Sequence, residues 1–596
     1  QWMLQHAGET IPVQAVYEEI DVTSAVIKQV VERGAAQFVQ QEVYRDPFTK
    51  DVAHTNNLQL TDEQHYALVK ILEAMAQNKP ETFLLHGITG SGKTEIYLQA
   101  IERTLADGKD AIVLVPEISL TPQMTERFRS RFGEKVAVMH SGLSVGEKYD
   151  EWRKMQQGKV HVVVGARSAI FAPFQNIGLI ILDEEHESTY KQDDSPRYHA
   201  RDVAIWRAKY NNCPVILGSA TPSLDSFARA KKGVYTLLQL KERAKKQALP
   251  KVQVVDMRAE LQSGNRSTFS VALTEAIRER IERKEQIVLF LNRRGYSSFV
   301  LCRDCGTVVQ CPNCDISLTY HRSTEKLKCH YCGHDEHVPH ECPQCQSDHI
   351  RFFGTGTQKI EEEIYTLFPE ARVLRMDVDT TKQKGSHEQL LDAFATGEYN
   401  ILLGTQMIAK GLDFPNITLV GVLSADTSLH LPDYRSAERT FQLLTQVSGR
   451  AGRHDKLGEV IVQTYTPEHY AIELAKDQLY EPFYEREMYM RRLAGYPPYY
   501  YLALIQVTHE DVMLAAEYAA RATEYLREQL SVSVSIIGPT TASISRLQNR
   551  YRYQCLIKYK VEPNLIPVLL QLIKLYRSDW IKKGITLTVD LDPTMI

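Results

Sequence analysis

The sequence predicts an α/β protein: two lobes built on parallel sheets, a cysteine-rich insertion in the second lobe, and an α+β domain at the C-terminal end. Three observations carry this prediction. Short apolar segments alternate with amphipathic ones in two successive series, the signature of buried parallel strands covered by helices. Eight of the ten cysteines fall between Cys302 and Cys345. The last hundred or so residues switch to a strand-helix-strand-strand-helix-strand order, which is the ferredoxin-like pattern. At 596 residues the chain is well past the roughly 250–300 at which a single core stops growing, so several domains are expected.

Taken in chain order, residues 20–55 read as a short helix, a polar β segment and Asp46-Pro47, the end of a small helix-plus-wing module. The first α/β series runs from about 60 to 240, with strands expected at 82–85, 111–115, 160–164, 179–182 and 215–217. The second has strands expected at 287–291, 372–376, 401–403, 419–423 and 459–464. The cysteine cluster interrupts it after its first strand, an insertion tolerable because loop-closure entropy grows slowly with length. In the C-terminal region strands are expected at 501–508, 532–538, 551–557 and 584–590, with helices at 512–530 and 565–576.

The 70 basic and 74 acidic residues leave a net charge of −4, so nucleic-acid binding would have to come from local basic patches rather than a global positive field. No apolar run approaches the ~20 residues of a membrane span and no signal peptide is seen. A cytoplasmic protein with no membrane partner is expected.

The strand at 82–85 leads into Gly87-Ile88-Thr89-Gly90-Ser91-Gly92-Lys93-Thr94 and then a helical stretch. Glycines here let backbone N–H groups of Thr89, Gly90, Ser91 and Gly92 curl around phosphate oxygens. Lys93 would reach the β- and γ-phosphates of ATP, and the Thr94 hydroxyl would ligate Mg²⁺. Farther on, Ile180-Ile181-Leu182-Asp183-Glu184-Glu185-His186 brings acids to the C-terminal end of a strand, where open α/β sheets bind ligands. Asp183 is placed to hold Mg²⁺ and Glu184 to orient the attacking water. ATP hydrolysis is the expected chemistry.

These motifs resemble those of superfamily-two helicases, with RecA-like lobes implied for both α/β series. Asp183–His186 is similar to the second helicase motif, Gly218-Ser219-Ala220-Thr221-Pro222 to the third and Gly404-Thr405-Gln406-Met407-Ile408-Ala409-Lys410-Gly411 to the fifth. Gln446-Val447-Ser448-Gly449-Arg450-Ala451-Gly452-Arg453 is similar to the sixth. Arg450 and Arg453 would stabilise charge on the transferring phosphoryl group from the opposite lobe, so that hydrolysis releases a bridge between lobes. Gln64 resembles the adenine-reading glutamine.

Three further features resemble the PriA family of bacterial replication-restart DNA helicases. First, the acidic motif is followed by Ser188-Thr189-Tyr190-Lys191-Gln192 and by Arg197-Tyr198-His199-Ala200-Arg201-Asp202, then Trp206, similar to that family's aromatic-rich loop. Aromatics interleaved with cations suit single strands, since rings stack on bases while cations follow phosphates. Arg167, Tyr190, Lys191, Arg197, Tyr198 and Arg201 are the expected DNA contacts, with Trp206 and some of the tyrosines reading equally as helix core. Second, Cys302/Cys305, Cys311/Cys314, Cys329/Cys332 and Cys342/Cys345 form four C-x-x-C pairs, enough thiolates for two tetrahedral Zn²⁺ sites. Spacing alone leaves nested and consecutive pairing open; the resemblance implies nested, outer pairs on one zinc and inner pairs on the other. Third, Arg550 and Arg552 alternate with Tyr551 and Tyr553, placing the arginines on one strand face, either as a solvated face or as a DNA platform.

The resemblance covers residues 60–596 and implies this organisation: 1–58, the remnant of a winged-helix DNA-binding domain and linker; 59–240, lobe 1; 241–300 and 351–478, lobe 2; 301–350, the zinc-binding insertion; 479–596, a domain for DNA and partners. The absence of an initiator Met before Gln1 suggests a fragment lacking the family's domain for capturing a 3′ end. The resemblance further implies an ATP-dependent 3′–5′ helicase on single-stranded and forked DNA, acting in the cytoplasm with the bacterial nucleoid. Expected partners are single-strand-binding protein, primosome proteins and the replicative helicase loader.

Overall fold

The computed structural model describes residues 2–594 apart from 21, 40–52, 117–121, 245–249, 292–298, 315, 322–324, 353–356, 377–385, 406–407, 409–413, 415 and 452–457. The polar β segment and Asp46-Pro47, most of the fifth motif, and Arg453 therefore lie outside the described residues.

The chain divides into two compact units. The first comprises residues 1–50 with 143–150 and contains the short helices Trp2–Gln5, Val13–Ile20 and Ser24–Glu32. The second, 51–142 with 151–596, holds the rest.

The first sheet has seven parallel strands: β1 (Thr82–Gly87), β2 (Asp110–Leu114), β3 (Val136–Met139), β4 (Val162–Gly165), β5 (Ile177–Asp183), β6 (Val215–Ser219) and β7 (Thr236–Leu240), in the order β3-β4-β2-β5-β6-β1-β7. The strands at 136–139 and 236–240 add to the five the sequence reading expected. β3 offers only a four-residue Val-Ala-Val-Met run behind charged residues, and β7, at the other edge, is buried only at Leu238 and Leu240. Leu84, Ile112, Val163, Ile180 and Leu217 are fully buried, as a sheet covered on both faces requires.

The second parallel sheet consists of β8 (Lys251–Asp256) and β9 (Gln286–Phe290), joined after the insertion by four more strands. The insertion itself supplies β10 (Val300–Cys302), β11 (Thr319–His321), β12 (Lys326–Lys328), β13 (Asp335–His337) and β14 (Ile350–Phe352), paired as β10-β14 and β11-β12-β13. Then come β15 (Val373–Met376), β16 (Ile401–Gly404), β17 (Ile417–Val422) and β18 (Glu459–Thr464), giving β15-β16-β9-β17-β18-β8. Edge strand β8 is the one the sequence reading missed, its run diluted by Lys251 and Gln253.

The last sheet is antiparallel: β19 (Tyr501–His509), β20 (Ser535–Leu547), β21 (Arg550–Tyr559) and β22 (Thr586–Leu591), ordered β20-β21-β19-β22. Helices Val512–Gln529 and Leu565–Ser578 pack on one face through Ala503, Ile505, Cys555 and Ile557. β20 extends nine residues past its expected end, to Leu547, because Gln548 and Asn549 both adopt positive φ (49° and 62°) and close a two-residue hairpin turn.

Residues of the insertion share a buried cluster with Tyr434, Tyr496, Leu502, Leu504 and Leu556. The insertion thus packs against lobe 2 and the C-terminal sheet: Gln554 donates to the His330 carbonyl at 3.2 Å and Tyr496 to that of Cys314 at 3.2 Å. Arg258, beside β8, donates to the Cys305 carbonyl at 3.2 Å.

Candidate functional site

β1 ends at Gly87, and the loop to helix Lys93–Ala106 turns through Gly90 (φ 83°) and Gly92 (φ 81°), a conformation an L side chain adopts only with strain. Space excludes a side chain too, since a Cβ on Gly92 would lie 2.3 Å from Gln64 Nε2. Lys93 Nζ donates to the Gly87 carbonyl at 2.7 Å, a contact a phosphate oxygen would take over. Gln64 is buried on this loop: its Oε1 accepts the Thr61 N–H at 2.8 Å and its Nε2 donates to the Ser91 carbonyl at 2.7 Å. It braces the phosphate loop and would retain one amide hydrogen for a nucleotide base. Arg243, which the sequence reading did not single out, is buried beside Gly90.

Asp183 stands at the end of β5, accepting from Tyr97 Oη at 3.0 Å. Burial, reinforced by the neighbouring Glu184, pushes its carboxyl up to about 6, against the pull of Lys93. A divalent cation would reverse that sign, so the group fits a Mg²⁺ ligand with Thr94 in the first turn of the helix opposite. Glu184 adopts φ 49°, and its buried Oε2 has no hydrogen bond among the described residues, leaving it an acceptor for a water. Glu185, by contrast, is structural. It accepts from Ser223 N at 2.7 Å and Ser226 Oγ at 2.8 Å, tying the second motif to the helix after the third.

The two lobes meet at these motifs. Gln446 Nε2 lies 2.7 Å from His186 Nε2, and His186 Nδ1 lies 2.8 Å from Ser219 Oγ. A donating Gln446 amide fixes the His186 proton on Nδ1. Gly449 approaches the phosphate loop so closely that a Cβ there would stand 2.6 Å from Thr89 Cγ2; Arg450 follows directly. Glu438, on helix Ser436–Ser448, accepts from Leu224 N at 3.0 Å and from the buried Arg491 at 2.6 Å. Tyr480 Oη donates to the Pro222 carbonyl at 2.8 Å. Of these, His186, Gln446 and Gly449 lay inside recognised motifs; Glu438, Tyr480 and Arg491 are ordinary helix residues in the sequence, with no signal to mark them.

The expected DNA contacts divide. Tyr190 is 1% exposed, with its hydroxyl donating to the carbonyls of Leu114 at 3.0 Å and Asp183 at 2.6 Å; it is core beneath the second motif, not a stacking surface. Lys191 is also buried, paired to Asp590 at 2.9 Å. Arg201 is held by Ser226 Oγ at 3.3 Å and lies 3.9 Å from Glu185. Arg167 donates to the carbonyls of Thr189 at 3.1 Å and Lys191 at 2.6 Å, fixing the loop backbone. Arg197 and Tyr198 remain partly exposed on the wall of a cleft of about 650 Å³ shared with Arg229, Arg435 and Tyr500. Trp206 is 65% exposed and stacks on Tyr210 with ring centroids 5.8 Å apart, so the helix-core reading of it does not hold. Arg550 donates to the Thr508 carbonyl at 3.0 Å and Arg552 to Gln506 at 3.3 Å. Farther along the same face of β21, Gln554 and Leu556 pack under the insertion, so only its end beyond the insertion can serve as a platform.

The cysteines assemble as Cys302, Cys305, Cys342, Cys345 and as Cys311, Cys314, Cys329, Cys332, each set with its sulfurs within 4.8 Å of one another. Sulfur separations of 3.7 Å (Cys302–Cys345), 3.5 Å (Cys305–Cys342) and 3.5 Å (Cys311–Cys332) sit near the roughly 3.8 Å edge of a tetrahedron with ~2.3 Å Zn–S bonds. The pairing is nested, and the residues fit Zn²⁺.

Comparison with known proteins agrees with this architecture. Family models match for the type III restriction enzyme res subunit (57–224), the helicase conserved C-terminal domain (342–455), the Cys-rich region of PriA DNA helicase (311–336) and the C-terminal domain of primosomal protein N (492–594). The chain is 60% identical to the replication restart protein PriA of Bacillus subtilis, over 99% of its own length and 73% of the relative's. The chain belongs to the PriA family. Its Synechocystis member is 46% identical over 100% of this chain and 72% of the relative, and that of Haemophilus influenzae 40% over 93% and 74%. As a PriA-family protein with both helicase lobes, the chain is an ATP-dependent DNA helicase of replication restart. Among the described residues no helix is long and apolar enough to cross a membrane.

Proposed function

We propose that this PriA-family helicase moves 3′ to 5′ along DNA, remodels stalled or repaired replication forks, and starts primosome assembly there with single-strand-binding protein and the replicative helicase loader. Lys93 and Thr94 bind the triphosphate and its Mg²⁺, Asp183 holds the metal, Glu184 orients the water, and Arg450 with Arg453 act from lobe 2. Two Zn²⁺ ions stabilise the insertion, which lies between lobe 2 and the C-terminal domain. The domain boundaries implied by the family resemblance, 59–240, 241–300, 301–350, 351–478 and 479–596, describe its parts, and the bacterial cytoplasm at the nucleoid is its place.

The observation that carries the motor reading is the contact of the sixth motif with the second and with the phosphate loop, Gln446 to His186 at 2.7 Å and Gly449 against Thr89. A nucleotide bound there touches both lobes, and its hydrolysis alters their spacing. The test is ATPase and unwinding of forks with leading- or lagging-strand gaps by this chain and by Glu184→Gln. Unwinding that needs a 3′ loading strand and vanishes in the variant supports the proposal. Equal unwinding from a 5′ tail would overturn the direction, and an ATPase indifferent to DNA would overturn the motor.

A further inference from the structure

The last strand of the chain does more than complete the C-terminal sheet. Asp590, in β22, pairs with Lys191 Nζ at 2.9 Å and lies 3.8 Å from Arg197 Nε; Lys191 also donates to the Leu591 carbonyl at 2.6 Å. Thr594 Oγ1 donates to Asp193 at 3.1 Å. All of these lobe 1 partners lie in the loop behind the second motif. On its other side the same segment meets lobe 2: Arg435 donates to the Pro593 carbonyl at 3.0 Å and Arg439 to that of Thr594 at 2.7 Å. Arg435 is the N-cap of helix Ser436–Ser448 and Arg439 lies in its first turn; the helix ends on Gly449-Arg450.

We propose that residues 590–594 are a clamp on the motor, with Asp590 as a positioning residue that holds Lys191 and Arg197 until the phosphates of a bound strand take them over. The proposal rests on the reading of this loop as a DNA contact. A cation buried against one carboxylate cannot also serve a phosphate, so strand and Asp590 compete for it, and the coupling is reciprocal. The route to the chemistry is short. Lys191 adjoins Tyr190, whose hydroxyl donates to the Asp183 backbone carbonyl at 2.6 Å, so movement of the loop is felt at the backbone that carries the Asp183 side chain. The lobe 2 side of the clamp holds the helix that delivers the sixth motif. Freed of the clamp, both motifs gain the mobility that strand binding would otherwise confer.

Asp590→Asn keeps the shape and removes the charge. Deleting residues 593–596 removes the acceptors of Arg435 and Arg439 and leaves β22 whole, at the loss of the buried Pro593 side chain. Each should raise the DNA-free ATPase rate of the full chain at least fivefold and lower stimulation by oligo-dT by a similar factor, and Asp590→Asn should bind oligo-dT more tightly. Lys191→Gln should also raise the DNA-free rate while weakening oligo-dT binding. If the DNA-free rate stays within twofold of the parent in all three, or if DNA-free and stimulated rates fall together at an unchanged ratio, there is no clamp. If Lys191→Gln raises the rate yet binds oligo-dT normally, the clamp stands and the loop's DNA contact falls. Should Asp590→Asn fail to fold, judged by thermal melting, the deletion decides.

Discussion

Gly449→Ala isolates the closure of lobe 2 on the phosphate loop. The added methyl would sit 2.6 Å from Thr89 Cγ2 and 2.8 Å from both Thr89 Cβ and Oγ1. That is about 0.9 Å inside the roughly 3.5 Å at which carbon atoms pack without overlap. Because Thr89 Cβ is itself one of the clashing atoms, no rotamer of Thr89 relieves the overlap, and the lobes must part. The fold should not suffer, since Gly449 has φ −68° and alanine is the better residue at a helical conformation. A displacement near 1 Å at a reacting centre costs on the order of 100-fold in rate. DNA-stimulated kcat should therefore drop by that order while the melting temperature holds or rises slightly. Thr89→Gly removes all three clashing atoms, so the double variant should recover at least tenfold over Gly449→Ala alone, the non-additivity expected of touching residues. A Gly449→Ala enzyme within threefold of the parent would refute the reasoning, as would a double variant whose losses simply multiply.

Elemental analysis should find two zinc ions per chain. Cys329→Ser should lower the melting temperature more than Cys345→Ser, because Cys329 is fully buried in the cluster joining insertion, lobe 2 and C-terminal sheet whereas Cys345 is exposed; equal losses would contradict that. Burial holds His86 down to about 4, His469 to about 4 and His430 to about 3. Each is neutral when folded and gains a proton near 6.5 when unfolded, so its contribution is complete above that pH and is lost as pH falls toward 4, by roughly 3 kcal/mol per site. Calorimetry between pH 7 and 4.5 should show the loss, and a flat profile would exclude it. Trp206→Ala should change stability by less than about 0.5 kcal/mol, since the ring is largely exposed, yet weaken single-strand binding at least fivefold, within the ~1–3 kcal/mol range of a base–aromatic stack; unchanged affinity would remove it from the strand's path.

Much of this protein was legible because its chemistry is local. A phosphate loop needs its glycines, lysine and threonine within eight consecutive residues from Gly87 to Thr94, and a thiolate knuckle needs its two cysteines three apart, so these declare themselves in any sequence. Central strands such as 180–182 and 287–289 declared themselves too, since burial on both faces demands unbroken apolar runs. Strands β3, β7 and β8 did not: β3 is only four residues long, and β7 and β8 mix buried with partly exposed positions. What tertiary structure alone decided is where side chains of mixed character end up. Tyr190 and Trp206 are both aromatics near the same loop, yet one is sealed under Asp183 and the other faces solvent. Lys191 reads as a phosphate contact until Asp590, far along the chain in the last strand, is folded against it. Glu438 and Arg491 look like surface residues on amphipathic helices and instead form a buried pair between lobe 2 and the helix leading to the C-terminal domain. Sequence determined the chemistry each segment can perform, because that depends on covalent neighbours. Only the fold determined which charges and rings are shared between segments, because a desolvated contact exists only once distant parts of the chain have closed over it.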